Sequence, residues 1–309
     1  MTKLKRIWQA SAPNVVLVFI RFLTASKGYK SQRKAVLEYF NKLDYEILSP
    51  DMRECFQYLK FHKFSAYPFR WALKYDQMLP EVYLDVQHDC FYVLFEGEKM
   101  YFPKRFTETQ VIWMVRSIKK KQDRHSPHLY LTHDFQVDAD SIVVDAGATE
   151  GSFALSVVGK ARKLFLVEND PEWLGSLRLT FAPWIEKVVF VEKLLSDTET
   201  ETTTSIDSFL KPATGENYFI KLDTKGLEIK GLSGMKNLAD SDNHIKITVC
   251  THRNINDLVE TETFLNDYGF KYHISDSFIL YAEPGEEPSF RKALIRAERP
   301  QIVHSNLQS

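Results

Sequence analysis

The 309 residues suffice for one large domain or two unequal ones. A hydrophobic content of 44% and a charged content of 26% are those of an ordinary globular chain, and Lys+Arg 40 against Asp+Glu 41 leaves a net charge of -1, so no bulk electrostatic attraction points to nucleic acid. Three scattered cysteines (Cys55, Cys90, Cys250) form neither a disulfide framework nor a zinc signature and suit a reducing, cytoplasmic setting.

At the amino terminus Lys3, Lys5 and Arg6 precede "PNVVLVFIRFL", a run too short to span a bilayer, which needs about 20 apolar residues. It reads as a buried or interface helix, with a weak membrane-surface foothold as the lesser alternative. Residues 1 to about 80 read mostly helical: "RKAVLEYFNKL" and "MRECFQYLKFHKF" space apolar residues three and four apart. "DCFYVLFEGEKMYFP" holds two β-rich runs around Glu96-Gly97-Glu98, a hairpin. "TETQVIWMVRSIKKKQD" reads as a helix capped by Thr107 or Thr109, its basic end matched to the C-terminal dipole. These elements make residues 1–130 a mostly helical region with a hairpin, expected to cap a site and bind an acceptor. Residues 131–309 would form the catalytic domain.

From there strands and helices alternate. "SIVVDAG", "KLFLVEND", "KVVFVEK", "NYFIKLD" and "IKITVC" are near-continuous apolar strands, the mark of a parallel sheet covered on both faces. "GFKYHIS" and "FILYAE", only two residues apart, are expected to pair antiparallel. The fold class is therefore α/β, a Rossmann-like class I methyltransferase fold. Its sheet has seven strands, five of them parallel, plus a terminal antiparallel hairpin.

Ligands of such sheets lie beyond the carboxyl ends of the strands. The first strand ends at Asp145 and enters a loop of Gly147, Ala148, Thr149, Glu150, Gly151, Ser152 and Phe153. This Gly-x-x-x-Gly differs from the Gly-x-Gly-x-x-Gly that cradles a pyrophosphate, and Thr149 stands where a middle glycine is common. It suits S-adenosylmethionine, whose amino-acid tail can meet backbone groups and the Asp145 carboxylate. The second strand delivers Glu168, 23 residues on, to ribose hydroxyls, with Asn169 and Asp170 toward the adenine. Asp170-Pro171 reads equally as a helix N-cap, and Trp173 either packs on the adenine or fills the core. Leu195 and Ser196 follow the third strand, beside the adenine. The fourth strand presents Lys221 and Asp223 on one face, facing donor and acceptor, with Glu228 in the next helix. His252 and Arg253 end the fifth strand, as a base suited to neutral pH and an anion holder, or as a structural histidine and a solvated arginine. The remaining histidines have no metal-ligand spacing, and no metal is expected.

These motifs resemble the FkbM-like methyltransferases. "VVDAGATEGSFALS" resembles the family's first cofactor motif, "SIDSFL" with "NYFIKLDTKGLE" resembles its central signature, and "GLSGM" the following element. The resemblance covers Ser126 to Glu283. It implies a cytoplasmic SAM-dependent enzyme that O-methylates a hydroxyl of a sugar, surface polysaccharide or related metabolite. It also supports Asp145, Gly147, Gly151 and Glu168 as cofactor positions and Asp223 as an active-site carboxylate. Where the family has Glu-Gly this chain has Lys225-Gly226, a charge reversal that suits an anionic acceptor, and Tyr130 is expected to help select it. The rivals are an NAD(P)-dependent dehydrogenase or epimerase and a non-catalytic SAM-binding module. No Asn/Asp-Pro-Pro-Tyr element or Pro-Cys nucleophile points to base methylation. The oligomeric state is not legible.

Overall fold

The structure is a computed structural model and describes residues 28–283 and 286–301. The "PNVVLVFIRFL" run lies outside them. In chain order the main elements are helices α1 (28–40) and α2 (Pro50–Phe61), then strands β1 (Tyr83–Asp85), β2 (Cys90–Phe95) and β3 (Glu98–Tyr101). Helix α3 (Glu108–Lys121), β4 (Ser141–Ala146), α4 (Ser152–Val157), β5 (Ala161–Val167), α5 (Pro171–Thr180) and β6 (Val188–Val191) follow. Next come β7 (Leu194–Leu195), β8 (Thr203–Thr204), β9 (Asn217–Leu222), α6 (Glu228–Ser233), β10 (His244–Cys250) and α7 (Asp257–Asp267). The last are β11 (Lys271–Ile274), β12 (Ile279–Tyr281), β13 (Ser289–Arg291) and β14 (Leu294–Arg299).

The described residues divide into two compact units, 28–73 with 279–283 and 286–291, and 74–278 with 292–301. The boundary expected near residue 130 falls inside the larger unit, because the three-stranded sheet and α3 pack into its core. In the smaller unit α1 and α2 meet the β12–β13 hairpin: Phe40 lies 5.1 Å from Phe56 and 5.6 Å from Phe290 between ring centres. Leu280 N–H donates to the Ala66 carbonyl at 3.0 Å.

The larger unit holds a seven-stranded sheet in the order β11-β14-β10-β9-β4-β5-β6. Strands β10, β9, β4, β5 and β6 are mutually parallel, and β14 runs antiparallel to both β10 and β11. This is the class I methyltransferase sheet. The terminal pair is not the expected one. "GFKYHIS" pairs with β14, and "FILYAE" leaves the sheet to pair with β13. β14, "LIRAER", is half charged and does not read as a buried strand. It is one because carbonyls satisfy its arginines, Arg296 at Leu129 (2.7 Å) and Arg299 at Ala239 and Ser241.

Alternation along the strands fills both faces. Val143, Leu164, Leu166 and Phe219 join the core under α3, α4 and α5, while Val144, Phe165, Val167 and Ile220 join the core that includes Leu232 and Leu265. The expected hairpin around Glu96-Gly97 is present as β2–β3. Thr107 caps α3 in a reciprocal capping box with Gln110.

Candidate active site

The five parallel strands end on one edge, and the loops there enclose two cavities of ≈ 350 Å³ each. Gly147, Thr149, Asp223 and Lys225 line both. The first runs toward Tyr130, Phe153, Asp145 and Arg253; the second runs toward Glu168, Asn169 and Leu195.

The loop after β4 is shaped by left-handed backbone. Gly147 (φ +74°) is required twice over, because a Cβ there would come 2.1 Å from the Asp223 carbonyl oxygen. Thr149, in place of the common middle glycine, also sits at φ +48°, a costly conformation for a β-branched residue. Its N–H donates to Glu168 Oε2 at 3.0 Å, which ties the loop to β5. Glu168 Oε1 accepts from the N–H groups of Asn169 and Asp170, both at 2.9 Å, so the carboxylate is fixed at the cavity wall.

Asp145 and Lys221 are register partners on neighbouring parallel strands and project to the same face. Lys221 Nζ lies 2.9 Å from Asp145 Oδ1 and donates to the carbonyls of Ala146 (3.2 Å) and Gly147 (2.9 Å). Burial opposes its charge, but Asp145 and Asp223 outweigh burial and hold its pKa above the ordinary lysine value. Lys221 is therefore a fixed cation beneath the loop. Asp145 is 1% exposed; Lys221 engages its Oδ1, while its Oδ2 has no partner among the described residues. The buried Thr224 hydroxyl at the second cavity is also without a partner.

Asp223 is the hub. Its Oδ2 accepts from the Tyr130 hydroxyl at 2.7 Å and lies 3.7 Å from His128 Nε2 and 3.8 Å from Lys121 Nζ, while Arg253 approaches Oδ1 at 3.4 Å. Burial would raise its pKa, but the cations Lys121, Lys221 and Arg253 more than offset this and hold it well below the usual carboxylate range, the buried His128 being neutral. Burial and the Asp223 charge push the Tyr130 phenol well above its ordinary value. This carboxylate stays ionised: it is a permanent negative charge and hydrogen-bond acceptor rather than a strong base.

Behind Asp223, His128 meets two groups from the end of β10, more than a hundred positions away in sequence. Cys250 Sγ is 3.4 Å from His128 Nε2, and ligand atoms of His128, Cys250 and His252 lie within 4.8 Å of one another. Burial, the largest influence on each, pushes both imidazoles down, His252 to about 4, and the thiol well up. All three groups are uncharged near neutrality. The cations Lys121 and Arg253 beside Asp223 disfavour a divalent ion there.

Of the expected residues, Asp145, Gly147, Ala148, Thr149, Glu150, Ser152, Phe153, Tyr130, Lys221, Asp223, Lys225 and Arg253 line the first cavity, and Glu168, Asn169 and Leu195 the second. Others serve elsewhere. Gly151 caps α4 at φ +78° and lets Leu177 and Phe181 close over it. Asp170 caps α5, while Trp173, packed edge-on against Phe106, lines the first cavity with the residues named above. Ser196 is buried in the β7–β8 link, its N–H donating to the Thr204 carbonyl. Glu228 is not exposed to the cavities: its carboxylate accepts from the N–H groups of Thr224 (2.8 Å) and Gly226 (2.9 Å) and clamps the loop between them. His252 is 3% exposed, hydrogen-bonds Ala293 O through Nδ1 and lines neither cavity.

The helix expected over this stretch is present as α3, and it brings to the site side chains that the sequence does not single out. Met114, Ser117, Ile118 and Lys121 line the first cavity, and so does Gln122 just beyond the helix. Its basic end was explained by the helix dipole alone, whereas Lys121 also faces Asp223.

Residues 139–272 match the model of the Methyltransferase FkbM domain. Among solved structures, the chain is similar to an FkbM methyltransferase from Methylobacillus flagellatus KT, with 16% identity over 61% of this chain and 54% of that one, TM-score 0.43. It is also similar to precorrin-6y C5,15-methyltransferase from Geobacter metallireducens (15% identity, 65% and 92% covered, TM-score 0.37) and to the tRNA m1G37 methyltransferase of M. jannaschii (12%, 69% and 55%, TM-score 0.36). The chain thus spans about half the length of the Methylobacillus protein. No curated protein matches it significantly.

Proposed function

Residues 139–272 being a methyltransferase FkbM domain, we propose that the chain is a SAM-dependent methyltransferase that methylates a hydroxyl oxygen of a sugar, polysaccharide or related metabolite. The observation that carries the reading is Asp145: a buried carboxylate at the cavity wall whose Oδ1 is ion-paired with a fixed lysine and whose Oδ2 has no partner among the described residues. Such an atom is costly unless a ligand donor meets it, and an amino-acid ammonium is that donor. Glu168 would hold the ribose hydroxyls, Thr224 would give a further polar contact, and Leu195 and Leu227 form an apolar wall for the adenine. When bound, the cofactor supplies an electrophilic methyl on a sulfonium.

The chain's own part is positioning and charge. Asp223 orients the acceptor hydroxyl and places a negative charge where a sulfonium and a developing oxonium need one. Tyr130 fixes the Asp223 carboxylate in that orientation. His252, buried, lowered to about 4 and lining neither cavity, is not the proton acceptor; as the C–O bond forms and the sulfonium leaves as a thioether, the acidic oxonium proton passes to Asp223 and from it to solvent. A soluble small-molecule or glycan acceptor fits the mixed aromatic and polar lining of the first cavity, formed partly by α3.

Calorimetric titration with SAM and with NAD tests the cofactor assignment. SAM is expected to bind and NAD not, and Glu168→Ala is expected to weaken SAM by about tenfold or more through the lost ribose hydrogen bonds. Binding of NAD in place of SAM would establish the dehydrogenase reading instead.

A further inference from the structure

The first cavity carries more positive charge than its own carboxylates neutralise. Asp145 is matched by Lys221 at 2.9 Å, and Asp223 by Arg253 at 3.4 Å. Lys121 also faces Asp223, at 3.8 Å, so it shares a carboxylate already engaged by Arg253 and the Tyr130 hydroxyl. Lys225 makes no side-chain hydrogen bond or ion pair among the described residues, yet lines both cavities. The remaining carboxyl, Glu150, is raised chiefly by burial and accepts from the Ser152 hydroxyl at 2.6 Å.

Lys225 is also held in place. It adopts φ +59° between Thr224 and Gly226, and Glu228 grips the N–H groups of both neighbours. A buried glutamate clamping a left-handed lysine at a cavity rim fixes where that side chain leaves the loop. Lys121, at the last position of α3, is held by a regular helix rather than a flexible arm.

We infer that Lys121 and Lys225 bind an oxyanion carried by the acceptor, so that the substrate class is a hydroxyl compound bearing a phosphate or carboxylate group. This rests on the reading of the same cavity as the methyl-transfer site. The two ammonium groups are point charges without the planar fork of arginine, so they suit either oxyanion.

The test is calorimetry on the full chain saturated with S-adenosylhomocysteine, titrated with inorganic phosphate and then with acetate. Saturable oxyanion binding is expected, weakened about tenfold or more in the Lys121→Gln/Lys225→Gln variant and kept in Lys121→Arg/Lys225→Arg. Tighter phosphate than acetate supports a phosphorylated acceptor, and the reverse order supports a carboxylated one. No saturable binding of either probe, or unchanged affinity in the double glutamine variant, would overturn the inference. Failure of S-adenosylhomocysteine itself to bind would strike the methyltransferase reading alone, and the phosphate titration of the same variants would still decide the oxyanion site.

Discussion

Replacing Lys221 by methionine removes a cation that is 4% exposed from a carboxylate that is 1% exposed. At their separation of 2.9 Å the pair attracts by about 6 kcal/mol for an effective dielectric constant of about 20. Desolvation of the two ions offsets much of this, so the pair's net worth is small. The cost of breaking it is not, because Asp145 is left as a buried uncompensated charge, a loss of about 3–5 kcal/mol. The carbonyls of Ala146 and Gly147 also lose their donor. Adding Asp145→Asn removes the stranded charge, so Lys221→Met/Asp145→Asn should regain about 2 kcal/mol over the single variant, a coupling expected of touching residues. Its affinity for S-adenosylhomocysteine should stay low, since the carboxylate that would meet the ammonium is gone. Urea unfolding of both variants and the wild type, with a common slope, measures the energies. A loss under about 1 kcal/mol for Lys221→Met, or no recovery in the double variant, would refute the reasoning.

Thr149→Gly relieves a β-branched residue at φ +48° and should raise stability by up to about 1 kcal/mol, read from the same unfolding curves; a loss of that size would contradict the strain argument. The acid side of the stability profile should show His252. Its folded pKa of about 4 lies below the ordinary 6.5, so its contribution is complete above pH 6.5 and is lost as pH falls toward 4. That amounts to about 2 kcal/mol between pH 7 and pH 5. His252→Asn, which can keep a donor to Ala293 O, should flatten that limb by this amount, and an unchanged slope would show that another group governs it.

Much of this site was legible because parallel strands announce themselves as apolar runs and end in a polar residue at the ligand edge. Asp145, Glu168 and Asp223 were found that way, and all three reach the cavities. Residues whose role depends on the partner chosen in three dimensions were not legible. Glu228 reads as an exposed helical glutamate until its loop folds back onto it. His128 and Cys250 are 122 positions apart, and no local spacing signals their contact. Lys121 reads as helix-dipole chemistry, and no strand is read at the half-charged β14. In both, the deciding partner, Asp223 for one and backbone carbonyls for the other, comes from distant sequence.

Transfer of a labelled methyl group from SAM tests the central claim most directly. With an anion-exchange fraction of hydroxyl metabolites and glycans as acceptor, the wild-type chain is expected to label an oxygen. Asp223→Asn should cut the turnover about 10²-fold while SAM affinity changes little. No SAM-dependent labelling of any acceptor fraction, or full turnover in Asp223→Asn, would contradict the account.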